Sequence, residues 1–170
     1  GFGSAPLGNL FRPLADDAAR ATLAAALDAG FGYFDTAPFY GFGLSERRLG
    51  DALRGRDFVV STKVGRLLEP VAHPVSDKEV RHGYATAMPF EPVFDYSYDA
   101  VMRSYRESLQ RLGLARIDML YIHDIGRMTH GAENHLHMAQ LTRGGGLRAL
   151  EELRDQGAIA GFGVGVNEVD

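Results

Sequence analysis

Short apolar runs alternate along the chain with longer segments in which apolar residues recur at helical spacing. Short runs bounded by Gly or Pro are typical of buried strands, and a three-to-four-residue spacing is typical of helices that bury one face. The runs predict strands at residues 1–8, 31–36, 58–64, 117–122 and 159–166. The helical spacing predicts helices at residues 16–30, 45–55, 99–113 and 147–157. Asp16 or Asp17 is the expected N-cap of the first helix, and Gly113 is the expected C-cap of the third.

Two longer segments, residues 66–97 and 126–146, show no sustained period. The first contains several prolines and scattered charges, and the second ends in three consecutive glycines. We expect both to be irregular loops, and an unstructured loop of this length is more often functional than accidental. Tyr84, Phe90 and Phe94 are candidate walls of a substrate pocket, because loops that border a site vary with specificity.

The order of elements predicts a parallel sheet, because one helix lies between each pair of consecutive strands. An open doubly wound sheet and a (β/α)8 barrel both have this order. Polar side chains decide between them, since strands two to five each end at one such residue: Asp35, Lys63, His123 and Asn167. These exits meet at one mouth in a barrel, whereas the glycine-rich phosphate loop expected in an open sheet is missing after strand one. The sequence therefore predicts an α/β fold, a parallel (β/α)8 TIM barrel of which the chain covers about the first five β/α units.

Composition narrows the classes of partner. The chain has 170 residues, of which 45% are hydrophobic and 24% charged, and its net charge is −4. No Lys/Arg block favours a nucleic-acid partner. The apolar runs are much shorter than the ~20 residues that span a membrane. We therefore expect a cytoplasmic protein that binds no nucleic acid and no membrane, and the missing initial Met suggests part of a longer protein.

A metal site is not expected. The chain has no cysteine, so a disulfide, a thiolate nucleophile and a Cys-ligated zinc are excluded. His130, His135 and His137 lie close in sequence, but no carboxylate pattern completes a known ligand spacing. We expect these histidines to belong to a solvated loop.

A carboxylate and a phenol stand together where the second predicted strand ends. Asp35 closes the strand, Pro38 interrupts the backbone hydrogen-bond ladder, and Tyr40 follows in a glycine-flanked loop. Each candidate also has a structural interpretation, because Asp35 suits a turn, Tyr40 a packed loop and a lone histidine a core position. Their shared placement at strand exits, together with Lys63 and His123, favours a site.

Three motifs in order, DTAPFYG, STKVGR and LYIHD, resemble the signatures of the aldo-keto reductases. Asp35, Tyr40, Lys63 and His123 are similar in order and context to the catalytic tetrad of that family. The resemblance extends over all 170 residues. Within the family, the chain looks most like the aldose and L-fucose or galactose dehydrogenases, a branch that includes pyridoxal dehydrogenase-like members. The resemblance implies that residues 1–170 are the N-terminal part of a single (β/α)8 barrel domain.

The resemblance also implies NAD(P)-dependent hydride transfer between nicotinamide and a small carbonyl or alcohol substrate, with an aldose as one candidate. Tyr40 would be the general acid/base, and a free phenol, with a pKa near ~10, needs help to act as a base. Lys63 would supply the cation that favours phenolate, Asp35 would hold that ammonium, and His123 would bind the substrate oxygen. Asp35 and Asn167 are the positions implied to contact the cofactor, NADP or NAD. No metal is required, because nicotinamide carries the redox chemistry.

Three hypotheses about activity stay open at this point. The protein could oxidise an aldose or related compound, reduce aldehydes or ketones, or serve as a cofactor-binding regulatory protein with little turnover. In the family, the last three strands supply much of the pyrophosphate and adenosine site, including any basic group for a 2′-phosphate. NAD and NADP, the exact substrate, the reaction direction and the oligomeric state are therefore left undecided by these residues.

Overall fold

The computed structural model describes residues 1–168, in which strands and helices alternate as the patterning predicts. In chain order the elements are β1 (Phe2–Gly3), α1 (Asp16–Asp28), β2 (Tyr33–Asp35), α2 (Leu44–Leu53), β3 (Val59–Val64), β4 (Arg66–Pro70), β5 (Val80–Arg81), β6 (Tyr84–Ala85), β7 (Phe90–Phe94), α3 (Tyr98–Leu112), β8 (Met119–His123), α4 (Arg127–His130), α5 (Asn134–Thr142), α6 (Gly146–Asp155) and β9 (Gly161–Gly165). Short 3₁₀ helices cover Ala5–Gly8 and Gly131–Glu133. The first strand is thus shorter than predicted, because the chain turns into a 3₁₀ helix at the Pro6 step.

Within the described residues, the central sheet has five strands in the order β1-β2-β3-β8-β9, and every neighbouring pair is parallel. Its register sets the strand exits side by side: Asp35 lies opposite Ser61, and Lys63 lies opposite Tyr121. His123 lies opposite Gly165 of β9. The carboxyl ends of the strands therefore share one edge of the sheet, which confirms the arrangement inferred from the sequence.

The core lies between the sheet and the helices α1, α2, α3 and α6. Phe34 of β2 and Leu120 of β8 are fully buried against helix residues such as Leu23, Leu49 and Leu150. At about 25 cal/mol per Å², burial of such apolar side chains is the main force that holds the helices on the sheet. The strand exits and their polar side chains are thereby kept on a rigid base.

A buried ion pair ties two of the helices to β3, next to the predicted lysine. Glu46 of α2 is fully buried, and its Oε1 accepts a 2.7 Å hydrogen bond from the Thr62 hydroxyl. Its Oε2 accepts from Nε of Arg111 on α3. A buried carboxylate persists only when it is paired in this way. The network fixes the position of Thr62, the residue before Lys63.

The predicted helix ends are partly right. Gly113 is the C-cap of α3, as predicted, and the Ser97 hydroxyl caps its N-terminus by accepting from the Ala100 amide. The prediction that Asp16 or Asp17 caps α1 is wrong, because Ala15 occupies the N-cap. Both aspartates lie in the first helical turn, where a negative charge interacts favourably with the helix dipole.

The prediction that residues 66–97 lack elements is wrong. β4 and β7 form an antiparallel ribbon in which Arg66 lies opposite Phe94 and Pro70 lies opposite Phe90, and β5 pairs with β6. A two-stranded ribbon tolerates Pro92, because a proline without an amide proton can lie on an edge strand. Most residues of β7 are half-buried on both faces, so the alternation that would have marked the strand is missing.

The segment 126–146 was also predicted to be irregular, and the structure shows helices there. α4, a 3₁₀ turn and α5 follow one another before α6. α5 buries a single residue, Leu141, so its sequence lacks the apolar stripe that identifies a helix. His130 and His137 are not fully solvated either, because their rings lie 3.9 Å apart against Phe94 and Tyr96.

Among residues 1–168, none of the helices combines the length and apolar character needed to cross a membrane. In the same residues, no group of three or more His, Asp or Glu side chains is arranged to hold a metal ion. β1 and β9 form the two edges of the described sheet. On β9, the side chain of Val164 is 55% exposed.

Candidate active site

Asp35 and Lys63 form an ion pair at the mouth of the sheet. Nζ of Lys63 donates a 2.6 Å hydrogen bond to Asp35 Oδ2 and a 2.9 Å hydrogen bond to the carbonyl oxygen of Thr36. The lysine side chain is 9% exposed and the aspartate side chain 28% exposed. A buried ammonium requires such a partner, so the exits of β2 and β3 are linked by charge.

The second oxygen of Asp35 is held by a chain of hydroxyl groups. The Ser61 hydroxyl donates to Asp35 Oδ1 at 2.6 Å, and Tyr33 Oη lies 2.9 Å from the same serine oxygen. Tyr121 Oη lies 3.3 Å from Tyr33 Oη, and this contact raises the pKa of Tyr121 to about 12. These neutral hydroxyls orient the carboxylate, so that its other oxygen stays directed at Lys63.

Tyr40 is placed by a tight turn between β2 and α2. The turn brings the backbone of Gly41 against Gly8, where a Cβ on Gly41 would lie 2.3 Å from the Gly8 carbonyl oxygen. Gly41 also has a φ of +65°, which side chains other than glycine rarely adopt. Lys63 Nζ lies 5.0 Å from the centroid of the Tyr40 ring, within the range of a cation–π contact. The phenol and the ammonium are therefore neighbours, as the sequence predicted.

His123 completes the group from β8. Its ring centroid lies 6.0 Å from that of Tyr40, with the two rings perpendicular. The side chain is 8% exposed, and Nδ1 is buried without a hydrogen-bond partner among the described residues. Burial, followed by the positive charges of Arg66 and Lys63, lowers the pKa of His123 to about 2. The imidazole is therefore neutral at physiological pH.

Asn167 lies just beyond β9 and is exposed. Its Nδ2 lies 3.4 Å from Oδ1 of Asp124, which follows His123 in the chain. Oδ2 of Asp124 forms an ion pair with Arg66, at the start of β4. The structure thus brings all of the predicted residues to one edge of the sheet: Asp35, Tyr40 and Lys63 with His123, and Asn167 at its side.

Aromatic side chains border this edge. Phe39 packs against His123 at 6.1 Å between ring centroids and against Tyr84 at 5.4 Å. Tyr84, one of the predicted pocket residues, lies 6.3 Å from the Tyr40 ring. Phe90 packs behind it in the second apolar cluster, and Phe94 stacks near Arg66. Of the three aromatics, Tyr84 therefore lies beside the candidate proton donor.

Sequence reasoning missed three side chains that contact the predicted set. Ser61 holds Asp35, whereas Arg66 and Asp124 form the ion pair beside His123. Asp124 follows a strand, as many aspartates do, and Ser61 resembles any other serine in a strand. Their contacts depend on the register between strands, which a single sequence does not display.

Comparison with known proteins shows which family the chain belongs to. The family model described as Aldo/keto reductase family matches residues 1–170, the whole chain. The chain belongs to the aldo/keto reductase family. It is 51% identical to a pyridoxal 4-dehydrogenase from Microbacterium luteolum, over 99% of this chain and 52% of that protein. It is 42% identical to a D-threo-aldose 1-dehydrogenase from a Pseudomonas species, over 97% of this chain and 49% of that protein.

A solved structure supports the same assignment for the fold. An aldo-keto reductase from Bacillus halodurans, in its holo form, superposes with a TM-score of 0.68 at 27% identity, over 98% of this chain and 45% of that one. The prediction of an α/β fold with part of a (β/α)8 barrel is thereby confirmed. This aldo/keto reductase chain spans about half the length of the curated relatives it matches.

Proposed function

We propose that Tyr40 is the general acid/base of an NAD(P)-linked hydride transfer. The observation that carries this proposal is the position of Lys63, whose ammonium lies 2.6 Å from Asp35 Oδ2 and 5.0 Å from the centroid of the Tyr40 ring. A bound nicotinamide supplies the chemistry of giving or taking the hydride. In the oxidation direction, the substrate hydroxyl gives its proton to Tyr40 while the carbon loses its hydride. In the reduction direction, Tyr40 returns that proton to the carbonyl oxygen.

Lys63 and Asp35 are proposed to keep the phenol ready for this exchange. A nearby ammonium stabilises the phenolate that forms when Tyr40 gives up its proton. The hydrogen bonds from Lys63 to Asp35 and to the Thr36 carbonyl hold that ammonium in place. The pair therefore acts on Tyr40 through its charge and its position, and it does not itself exchange a proton with the substrate.

His123 is proposed to bind the substrate oxygen. Because Nδ1 is buried, Nε2 is the ring nitrogen left to meet a substrate. A neutral imidazole can donate a hydrogen bond to the oxygen on which charge develops, and it adds no second cation beside Lys63. The low pKa of His123, about 2, ensures that this neutral form prevails at physiological pH.

The cofactor is proposed to be NAD or NADP, with its nicotinamide at this mouth. The residues present fit that group: Asn167 offers an exposed amide that would bind the carboxamide, and Asp35, paired with Lys63, would contact the cofactor at the same mouth. Residues 1–170 are proposed to be the N-terminal part of a single barrel domain. A cytoplasmic location stays a prediction.

The substrate is proposed to be a small hydroxyl- or aldehyde-bearing molecule, an aldose or a pyridoxal-like compound. The names of the relatives at 51% and 42% identity support these two classes. Tyr84 and Phe39, which pack around His123 and Tyr40, would line the side of the pocket that such a ring or chain meets.

The test is turnover by the full-length protein. We expect reduction of NAD⁺ or NADP⁺ with at least one aldose or with pyridoxal, and oxidation of the reduced cofactor with the matching product. Reduced-nicotinamide absorbance measures both directions, and their ratio at cellular cofactor levels gives the physiological direction. Cofactor binding with no turnover in either direction, over a broad carbonyl and alcohol panel, would contradict the enzyme and favour a cofactor-binding regulatory protein.

A further inference from the structure

We propose that Arg66 and Asp124 form a positioning pair that keeps His123 neutral and fixed beside the reacting oxygen. The proposal rests on the proposed function, because it assigns two further residues to the same site. Neither residue is part of the predicted tetrad. Both lie at the mouth: Asp124 Oδ2 lies 3.5 Å from Nε2 of His123, and Arg66 pairs with that same oxygen.

Arg66 is a buried and immobilised cation. Its guanidinium carbon lies 4.0 Å from the centroid of the Phe39 ring and 4.7 Å from that of Phe94. The side chain is 11% exposed, and an NH2 hydrogen bond joins it to Asp124. Its Nε is buried without a partner among the described residues. An exposed salt bridge would leave the arginine free to move. The enclosure of Arg66 instead holds its positive charge at one position beside Asp124.

Asp124 sits in a backbone conformation that is uncommon outside glycine. Its φ is +48°, and its amide donates a 2.8 Å hydrogen bond to the Gly165 carbonyl of β9. One carboxylate oxygen pairs with Arg66 and lies 3.5 Å from Nε2 of His123, and the other lies 3.4 Å from Nδ2 of Asn167. Backbone strain of this kind concentrates at functional sites.

The charges around His123 explain what the pair does. Lys63 faces the ring from β3, Arg66 from β4, Asp124 from the end of β8 and Tyr40 from the turn after β2. A further phenol, Tyr96, donates a 2.7 Å hydrogen bond to the His123 carbonyl oxygen and not to its ring. Asp124 is the one carboxylate among these groups, and Arg66 neutralises it.

Loss of Arg66 would reverse this balance. The Asp124 carboxylate would stand unpaired 3.5 Å from Nε2, where it favours a protonated ring. An imidazolium at this place would pair with Asp124 in place of the substrate oxygen, and its charge would repel Lys63. The pair thus keeps His123 in the neutral form that the proposed substrate binding requires. Asp124 also contacts Asn167, the residue proposed to bind the carboxamide.

The test follows the charge of the His123 ring by NMR, in full-length protein labelled at histidine. The signal is assigned with His123→Asn. In the wild type we expect no titration of His123 between about pH 5 and pH 8. In Arg66→Met we expect a titration to appear within that range, and in Arg66→Met with Asp124→Asn we expect it to disappear again. A flat His123 signal in Arg66→Met, or a titration that persists in the double variant, would overturn the proposal.

Arg81→Met is the matched control. Arg81 has the same side-chain exposure of 11%, lies 4.5 Å from the centroid of the Phe42 ring and pairs with Glu91. We expect this variant to leave the His123 signal flat, which separates the charge of Arg66 from the general loss of a packed arginine. Arg66→Gln is the second variant, because its planar amide can stack and bond Asp124 without a charge and so preserve the fold.

Kinetics separate this inference from the proposed function. In the Arg66 variants, kcat/KM should acquire an acidic limb and fall about 10-fold near pH 6, and Asp124→Asn in the same chain should remove the limb. The NMR titration needs no turnover, so an inactive wild type would contradict the proposed function alone. An active wild type with unchanged pH profiles and flat signals in the Arg66 variants would contradict the positioning pair alone.

Discussion

The two oxygens of Asp35 have separate partners, and this division explains how one carboxylate orients the site. Oδ2 accepts from the Lys63 ammonium at 2.6 Å, while Oδ1 accepts from the Ser61 hydroxyl at 2.6 Å. Without the serine, the carboxylate could rotate and take both of its oxygens away from the lysine. We therefore expect Ser61 to act on the proposed reaction through Asp35, as a positioning group.

Substitution Ser61→Ala tests this positioning. We expect kcat/KM to fall about 10- to 100-fold, because a hydrogen bond to a charged group contributes roughly 1.5–3 kcal/mol. The fold should be kept, since the methyl group of alanine fits the same space. Steady-state kinetics with the substrate identified by the panel measure the effect.

Ser104→Ala is the control, because the Ser104 hydroxyl is buried without a partner among the described residues and lies on α3. That variant should keep wild-type kinetics. Equal kinetics for the wild type and Ser61→Ala would show that Asp35 needs no support from Ser61.

At the residue scale, the sequence predicted which candidate side chains meet at the mouth, but it did not predict the residues that they contact there. Asp35, Lys63 and His123 were identifiable because they share a placement at strand exits and lie in motifs that resemble those of the family. Ser61 and Asp124 were not, since a strand serine and a residue after a strand are common. Their roles come from register and from one positive φ, which arise only when the strands pair.

At the scale of elements, the contact between α2 and α3 holds the base of the site. Gly50 of α2 touches the last turn of α3, and a Cβ at this position would lie 1.7 Å from the Leu112 carbonyl oxygen. The same helix carries Glu46, which holds Thr62 beside Lys63. A shift of α2 would therefore reach the lysine through Glu46 and Thr62.

Gly50→Ala should lower the free energy of unfolding by about 2 kcal/mol. In an isolated helix, replacing glycine by alanine increases helix stability by roughly 1 kcal/mol. A loss of stability in this protein would therefore be due to overpacking of the new methyl group against α3. Urea unfolding of the variant and the wild type measures the difference.

Gly32→Ala is the control, because a Cβ there meets no atom within 4 Å and the residue has no positive φ. It should change the free energy of unfolding by less than about 0.5 kcal/mol. If Gly50→Ala were more stable than the wild type, α2 and α3 would be able to move apart with no loss of stability, which would contradict this account.

The elements that the sequence predicted are those that bury an apolar face in the central sheet or on it. The sequence did not predict the β4–β7 ribbon or helices α4 and α5, because these elements bury few apolar residues and pack through isolated aromatic and polar contacts. Periodicity reports burial against a broad apolar surface. It carries little information about elements that cover a site.

At the scale of the molecule, the described residues form a sheet whose two edges, β1 and β9, bound a mouth with all of the candidate side chains. The aldo/keto reductase relatives are about twice as long as this chain. The groups proposed to move the proton lie at the mouth described here, whereas the rest of a barrel would add to cofactor binding. Cofactor affinity and proton transfer should therefore respond to different substitutions.

Tyr40→Phe in the full-length protein tests the central claim most directly, with cofactor affinity and turnover measured on the same preparation. Tyr105→Phe is the control, since its hydroxyl bonds the Ala158 carbonyl at 3.3 Å on the helical side of the sheet. We predict that Tyr40→Phe binds NAD(P)H with wild-type affinity and loses about 10³-fold in kcat, while Tyr105→Phe keeps both. Undiminished kcat in Tyr40→Phe would contradict the account.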